Sequence, residues 1–232
     1  MPNKDSSQTS RRNFLGALAT GTAAISMATI APLTAGAKSL SEKWPTNNDP
    51  DAWFNNIKGK HRIVFDATRP HEIMPFAWPR VFLMTNEMTG TMAKDNSVVV
   101  VLRHAAIPYA MEDRLWTKYN FGEVFNVEDP TTKAPAKRNP FWKPKAGDYK
   151  VPGIGNVAIG INELQDSGVM FCVCNAALTV YSAVVAEKMN QKAEDVKKDW
   201  EAGILPGIQI VPSGVWALGR AQERGCGYIF AG

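Results

Sequence analysis

The chain predicts a three-layer α/β/α sandwich with a mostly parallel five-stranded sheet. Three observations carry this. Strand-like and helix-like segments alternate through most of the sequence, as they do in α/β domains. Residues 97 to 102 hold four consecutive valines, a short β-branched run with no polar face. Such a run suits a strand buried on both sides. Ser213 and Gly225 bracket a C-terminal helix with the residue types that start and stop one.

The first strand is His61-Arg62-Ile63-Val64-Phe65-Asp66-Ala67, bounded by Thr68-Arg69-Pro70. A helix follows over roughly 75 to 93, with Phe76, Val81, Phe82, Met84 and Met88 apolar and Pro79 expected in its first turn. The valine strand ends abruptly at Arg103-His104, and residues 109 to 121 read as weakly helical. Residues 157 to 167 form a short helix stopped by Gly168. The third strand is Val169 to Cys174, and Asn175 to Met189 is an apolar helix. A charged helix over 193 to 200 precedes the fourth strand, Ile208-Gln209-Ile210-Val211. Ser213 caps a helix over 215 to 224, and residues 226 to 230 make the last strand.

Two segments stand outside this alternation. Residues 38 to 60 are polar and turn-rich and read as an arm lying on the domain surface. Residues 126 to 153 carry Pro130, Pro135, Pro140, Pro144 and Pro152, which excludes a regular helix or a central strand. Lys133, Lys137, Arg138, Lys143, Lys145 and Lys150 are interleaved there with Phe141, Trp142 and Tyr149. A loop of this length covers a ligand, here an anionic one, or is a solvated excursion or subunit contact; the second is the plainer reading.

The N-terminus has its own logic. Ser10-Arg11-Arg12-Asn13-Phe14-Leu15 opens an apolar, small-residue run that ends in Ala35-Gly36-Ala37. A basic start, an uncharged middle and an A-x-A site describe a secretory signal. The twin arginine resembles the signal of twin-arginine translocation (Tat), which implies export through the Tat translocase to the periplasm. An uncleaved inner-membrane anchor is the alternative. Cleavage after Ala37 removes Lys4, Arg11, Arg12 and Asp5, taking 26 basic and 22 acidic residues to 23 and 21. That balance excludes a nucleic-acid-binding surface by charge alone.

Cys172, Cys174 and Cys226 are an odd count, and the first two are too close for a normal disulfide. No Cys/His spacing reads as zinc, and no motif reads as a haem, nucleotide or iron–sulfur site, so no cofactor is expected.

The C-terminal third reads Gly168-Val169-x-Phe171-x-Val173-Cys174-Asn175, then Leu205-Pro206-Gly207-Ile208-x-Ile210-Val211-Pro212-Ser213-Gly214-Val215. It closes on Leu218-x-Arg220-Ala221-Gln222-Glu223-Arg224-Gly225-x-Gly227-Tyr228-Ile229. This resembles the DsrE-like family of the DsrE/DsrF sulfur-relay superfamily. The likeness covers about 157 to 232, is looser over 61 to 110 and is absent over 126 to 153. It implies the α/β sandwich named above, assembly into a homo-oligomer, and a strand-end cysteine that carries sulfane sulfur as a persulfide. Cys174 is the matching position. The sequence departs from the relay pattern just after it, with Ala176-Ala177-Leu178-Thr179-Val180-Tyr181 in place of a small-residue and Arg-Gly stretch.

Strand C-termini of a parallel sheet converge on one edge, where ligands bind. That edge collects Arg69, Arg103, His104, Cys174, Asn175 and Ser213. Cys174 at a helix N-terminus beside Arg69 or Arg103 has its thiolate favoured, and His104 is the candidate base. The competing reading makes Cys174 a small buried hydrophobe. Cys172 falls on the same sheet face one step deeper and reads as core; Cys226 reads as structural. Two functions follow. One is a periplasmic sulfur-handling or thiol-redox protein acting through Cys174, with a sulfur donor or acceptor protein or a small anion as partner. The other is a non-catalytic binding or assembly module of the same fold.

Overall fold

The computed structural model describes Trp44 and residues 49–232. The expected signal sequence and cleavage after Ala37, with the start of the arm, fall outside the described residues. In chain order come α1 (Pro50–Trp53), β1 (His61–Ala67), α2 (Met74–Met88), β2 (Asn96–Leu102), α3 (Asp113–Lys118) and α4 (Phe121–Val124). They are followed by β3 (Lys150–Val151), β4 (Gly155–Asn156), α5 (Ile161–Asp166), β5 (Val169–Cys174) and α6 (Asn175–Lys188). The last four are α7 (Ala193–Ala202), β6 (Ile208–Val211), α8 (Gly214–Glu223) and β7 (Gly227–Phe230).

Five strands form one sheet in the order β6-β5-β2-β1-β7, and all four ladders are parallel. The first three crossovers step in one direction, from β1 to β2 to β5 to β6. The last returns across the sheet to the far edge. Right-handed crossovers therefore place α2 to α7 on one face and α8 alone on the other. The core divides the same way. Val98, Val100, Phe171 and Val173 pack with Phe76, Leu178 and Tyr181. Val99, Val101, Cys172 and Val211 pack with Ala217, Leu218 and Ala221 of α8. The valine strand is enclosed on both faces, as its composition requires.

A single short helix cannot cover one face of a five-stranded sheet. The arm supplies the rest. Phe54 is fully buried, packs edge-on against Trp216, and joins the α8 side of the core with Ile57. The described part of the arm, 49 to 60, lies over the surface but anchors in the core through Phe54 and Ile57. In α2 the first turn is occupied by Pro75, so Pro79 falls in the helix interior and not in the first turn as expected. Its ring is buried against the core.

The proline-rich segment is also built into the core. Only Lys150–Val151 pairs as strand, with Gly155–Asn156. Yet Val127, Ala136, Phe141 and Tyr149 are buried in the larger core. Phe141 stacks on Phe76 at 4.1 Å and on Tyr149 at 5.0 Å. Asn139 is fully buried; its amide donates to the carbonyls of Tyr109 (2.8 Å) and Met111 (3.0 Å) and its oxygen accepts from Phe141 N–H. Gly122 lets the loop backbone approach, since a Cβ there would stand 2.3 Å from the Ala136 carbonyl oxygen. A solvated excursion is therefore the wrong picture. The prolines stiffen a loop whose aromatic residues plug the sheet.

Candidate functional site

The parallel ladders bring the C-terminal ends of β1, β2, β5 and β6 to one edge. The register sets Leu102 beside Val173 and Cys174 beside Val211. Arg103, one residue beyond Leu102, therefore leaves the sheet next to Cys174.

Cys174 ends β5 and caps α6. Its Sγ accepts a hydrogen bond from the Ala177 N–H at 3.3 Å, one of the amides a helix start leaves without an intrahelical partner. The residue is 6% exposed. Cys172 sits in the α8-side cluster, whereas Cys174 joins the larger one. The alternation rule would have grouped them, but at Cys174 the chain is already turning off the sheet into α6. Burial pushes the Cys172 thiol strongly upward, and it pushes the Cys226 thiol up to about 11 against the pull of Arg62.

Arg103 is the cation at this edge. Its Nε and one terminal nitrogen donate to the two carboxylate oxygens of Asp66, at 2.7 and 2.9 Å. Asp66 is 1% exposed and also accepts from the Tyr228 hydroxyl at 2.8 Å. The hydrogen bond to Asp66 raises the Arg103 pKa above its ordinary value against desolvation; the Asp66, Tyr228 and Cys174 charges act in the same upward direction. Arg103 is thus a permanent cation within electrostatic reach of Cys174. Its stem packs on the start of α8, where a Cβ on Gly214 would stand 2.5 Å from the Arg103 Cβ. Ser213 is committed as cap of α8, accepting from Trp216 N–H at 3.2 Å. Asn175 keeps a buried Oδ1 with no hydrogen-bond partner among the described residues.

Among the described residues His104 and Arg69 make no hydrogen bond or ion pair to this group. His104 is exposed, holds a left-handed backbone (φ 51°) and shares a hydrogen bond with the Tyr181 hydroxyl. Arg69 is exposed and makes no hydrogen bond or ion pair among the described residues. Sequence reasoning missed Asp66, Tyr228 and Tyr181. Asp66 had a readable signal: a carboxylate inside an otherwise buried strand demands a partner.

No family model matches the chain, and no curated protein matches it. Among solved structures it is similar to a protein of unknown function, MTH1491 from Methanobacterium thermoautotrophicum. The identity is 20%, the match covers 73% of this chain and 98% of that one, and the TM-score is 0.33. At that score the likeness carries no functional argument. The fold class stands on the sheet and its flanking helices.

Proposed function

We propose that this chain is an exported sulfur-handling or thiol-redox protein that acts through Cys174, in the manner its resemblance to the DsrE-like family implies. One observation carries the reading. A cysteine capping a helix has a buried carboxylate holding an arginine beside it. The step is a thiolate attack on the outer sulfur of a persulfide donor R–S–SH. The donor S–S bond breaks, a new S–S bond forms to Cys174, and RS⁻ leaves. The Ala177 N–H donates to the accepting sulfur, and the Arg103 cation lies within electrostatic reach of it. Asn175 Oδ1 is a buried acceptor at the start of α6 with no hydrogen-bond partner among the described residues. His104 as base is not supported by contact, since its ring meets Tyr181. Export, cleavage after Ala37 and assembly into an oligomer belong to the same proposal and rest on the sequence.

The second reading, a non-catalytic module, is favoured by the low exposure of Cys174. Intact mass spectrometry after exposure to glutathione persulfide separates the two. The sulfur-handling reading expects a gain of one sulfur that Cys174→Ser abolishes. A Cys174 that takes up none while the protein remains folded leaves the binding module.

A further inference from the structure

A cleft among the described residues is lined by none of the residues of the Cys174 site. It has a volume of about 490 Å³ and lies among the connections that leave the C-terminal ends of β1 and β2. Its walls include Ile73 and Glu72 after β1, Tyr109 after β2, and Glu128, Lys133 and Phe141 from the proline-rich segment. This is the edge of a parallel sheet where ligands sit, and the volume falls in the range of small-molecule sites.

Tyr109 is the telling residue. It is 1% exposed, and its ring packs against Phe76 and Phe141. Its hydroxyl has no hydrogen-bond partner among the described residues. Because the residue is otherwise enclosed, the access its side chain has is through the cleft. The hydroxyl is not itself fully buried, so it meets solvent at the cleft. Burial raises its pKa, so it stays protonated and can both donate and accept. The charged groups at the cleft are two carboxylates and one ammonium. Lys133 lies 3.8 Å from Glu128, while Glu72 has no ion-pair partner among the described residues.

We propose that this cleft binds a small organic cation. Its apolar body would lie against Phe141 and Ile73, a polar atom would pair with the Tyr109 hydroxyl, and an ammonium would face Glu72. The basic side chains of the segment are not the ligand contacts: Arg138 is drawn to Asp129 at 3.1 Å, and Lys133 alone lines the cleft. The inference is independent of Cys174.

Tyramine carries all three features and is the probe. Phenethylamine lacks the hydroxyl, and 4-hydroxyphenylacetate reverses the charge. A fragment of this size is expected to bind with a Kd of about 1 mM. In a protein-observed NMR titration, tyramine should shift the amide signals of Glu72, Ile73 and Glu128 saturably. Phenethylamine should bind several-fold more weakly, and 4-hydroxyphenylacetate should not saturate. Tyr109→Phe should bring tyramine down to the phenethylamine level without lowering the melting temperature. Glu72→Gln should weaken both amines. Equal binding of tyramine and 4-hydroxyphenylacetate, shifts confined to other regions, or a Tyr109→Phe protein that binds tyramine unchanged would each overturn the proposal.

Discussion

Replacing Asp66 by Asn tests whether a single buried carboxylate organises the sheet edge. The volume is kept and the charge is lost. Asp66 receives three hydrogen bonds, two from Arg103 and one from Tyr228. An asparagine can accept through one oxygen, while its NH₂ faces a guanidinium that can only donate. Hydrogen bonds to charged groups contribute about 1.5–3 kcal/mol each, and a fully buried pair that loses one partner costs about 3–5 kcal/mol. Arg103 keeps 26% of its side chain in solvent, which lets it recover some hydration. The expected loss is therefore about 2–4 kcal/mol. In urea unfolding this moves the midpoint down by about 1–2 M. Arg103→Leu alone should cost at least as much, because it strands the Asp66 charge. Arg103→Leu added to Asp66→Asn should cost much less than either change predicts by addition, which a double-mutant cycle measures. A loss below about 1 kcal/mol for Asp66→Asn, or strict additivity, would refute the coupling and with it the pinned arginine beside Cys174.

Three further outcomes are expected. Phe141→Ala should destabilise by about 3–5 kcal/mol, since it removes a ring stacked between Phe76 and Tyr149; a change near zero in denaturant unfolding would return the segment to the surface. Asp199 is desolvated, yet hydrogen bonds from Lys118, Tyr119 and Arg114 hold its carboxyl down at about 2. A folded-state pKa below the unfolded one stabilises above about pH 4, and that contribution is lost as pH falls towards 2. Asp199→Asn should flatten the acid limb of a stability–pH profile across that window. Cys226, at about 11, should be about one part in 10⁴ thiolate at pH 7, so its alkylation should quicken about tenfold per pH unit up to that value. A rate already flat at pH 8, followed by peptide mass spectrometry, would show that the thiol is not buried as described.

Local chemistry explains why so much of this fold was legible. The strand His61–Ala67, the valine run, Val169–Cys174 and Ile208–Val211 are short and dominated by apolar, often β-branched residues, and each is a strand in the structure. The Ser213 cap and the Gly225 stop need only the chain next to them, and both hold: Ser213 Oγ takes the Trp216 amide, and Gly225 has φ +81°. Cys174 at a strand-to-helix junction was legible for the same reason, because the junction is marked by its neighbours.

What the sequence could not determine depends on partners far away along the chain. The order β6-β5-β2-β1-β7 is set by crossover handedness and by which strand edges remain free, and it decides that Asp66 meets Arg103 and Tyr228 while His104 turns to Tyr181. Composition alone made residues 126 to 153 look solvated, because prolines and lysines dominate. Tertiary packing reversed that: Phe141, Tyr149 and Asn139 found a gap between the sheet and the helices, and burial of three side chains outweighed the polarity of the rest. Sequence by itself determined where the chain forms strands, helices and turns, since those are short-range choices of backbone and side chain. Only the tertiary structure decided which strand ends meet, because that depends on contacts more than a hundred residues apart, such as Tyr228 with Asp66.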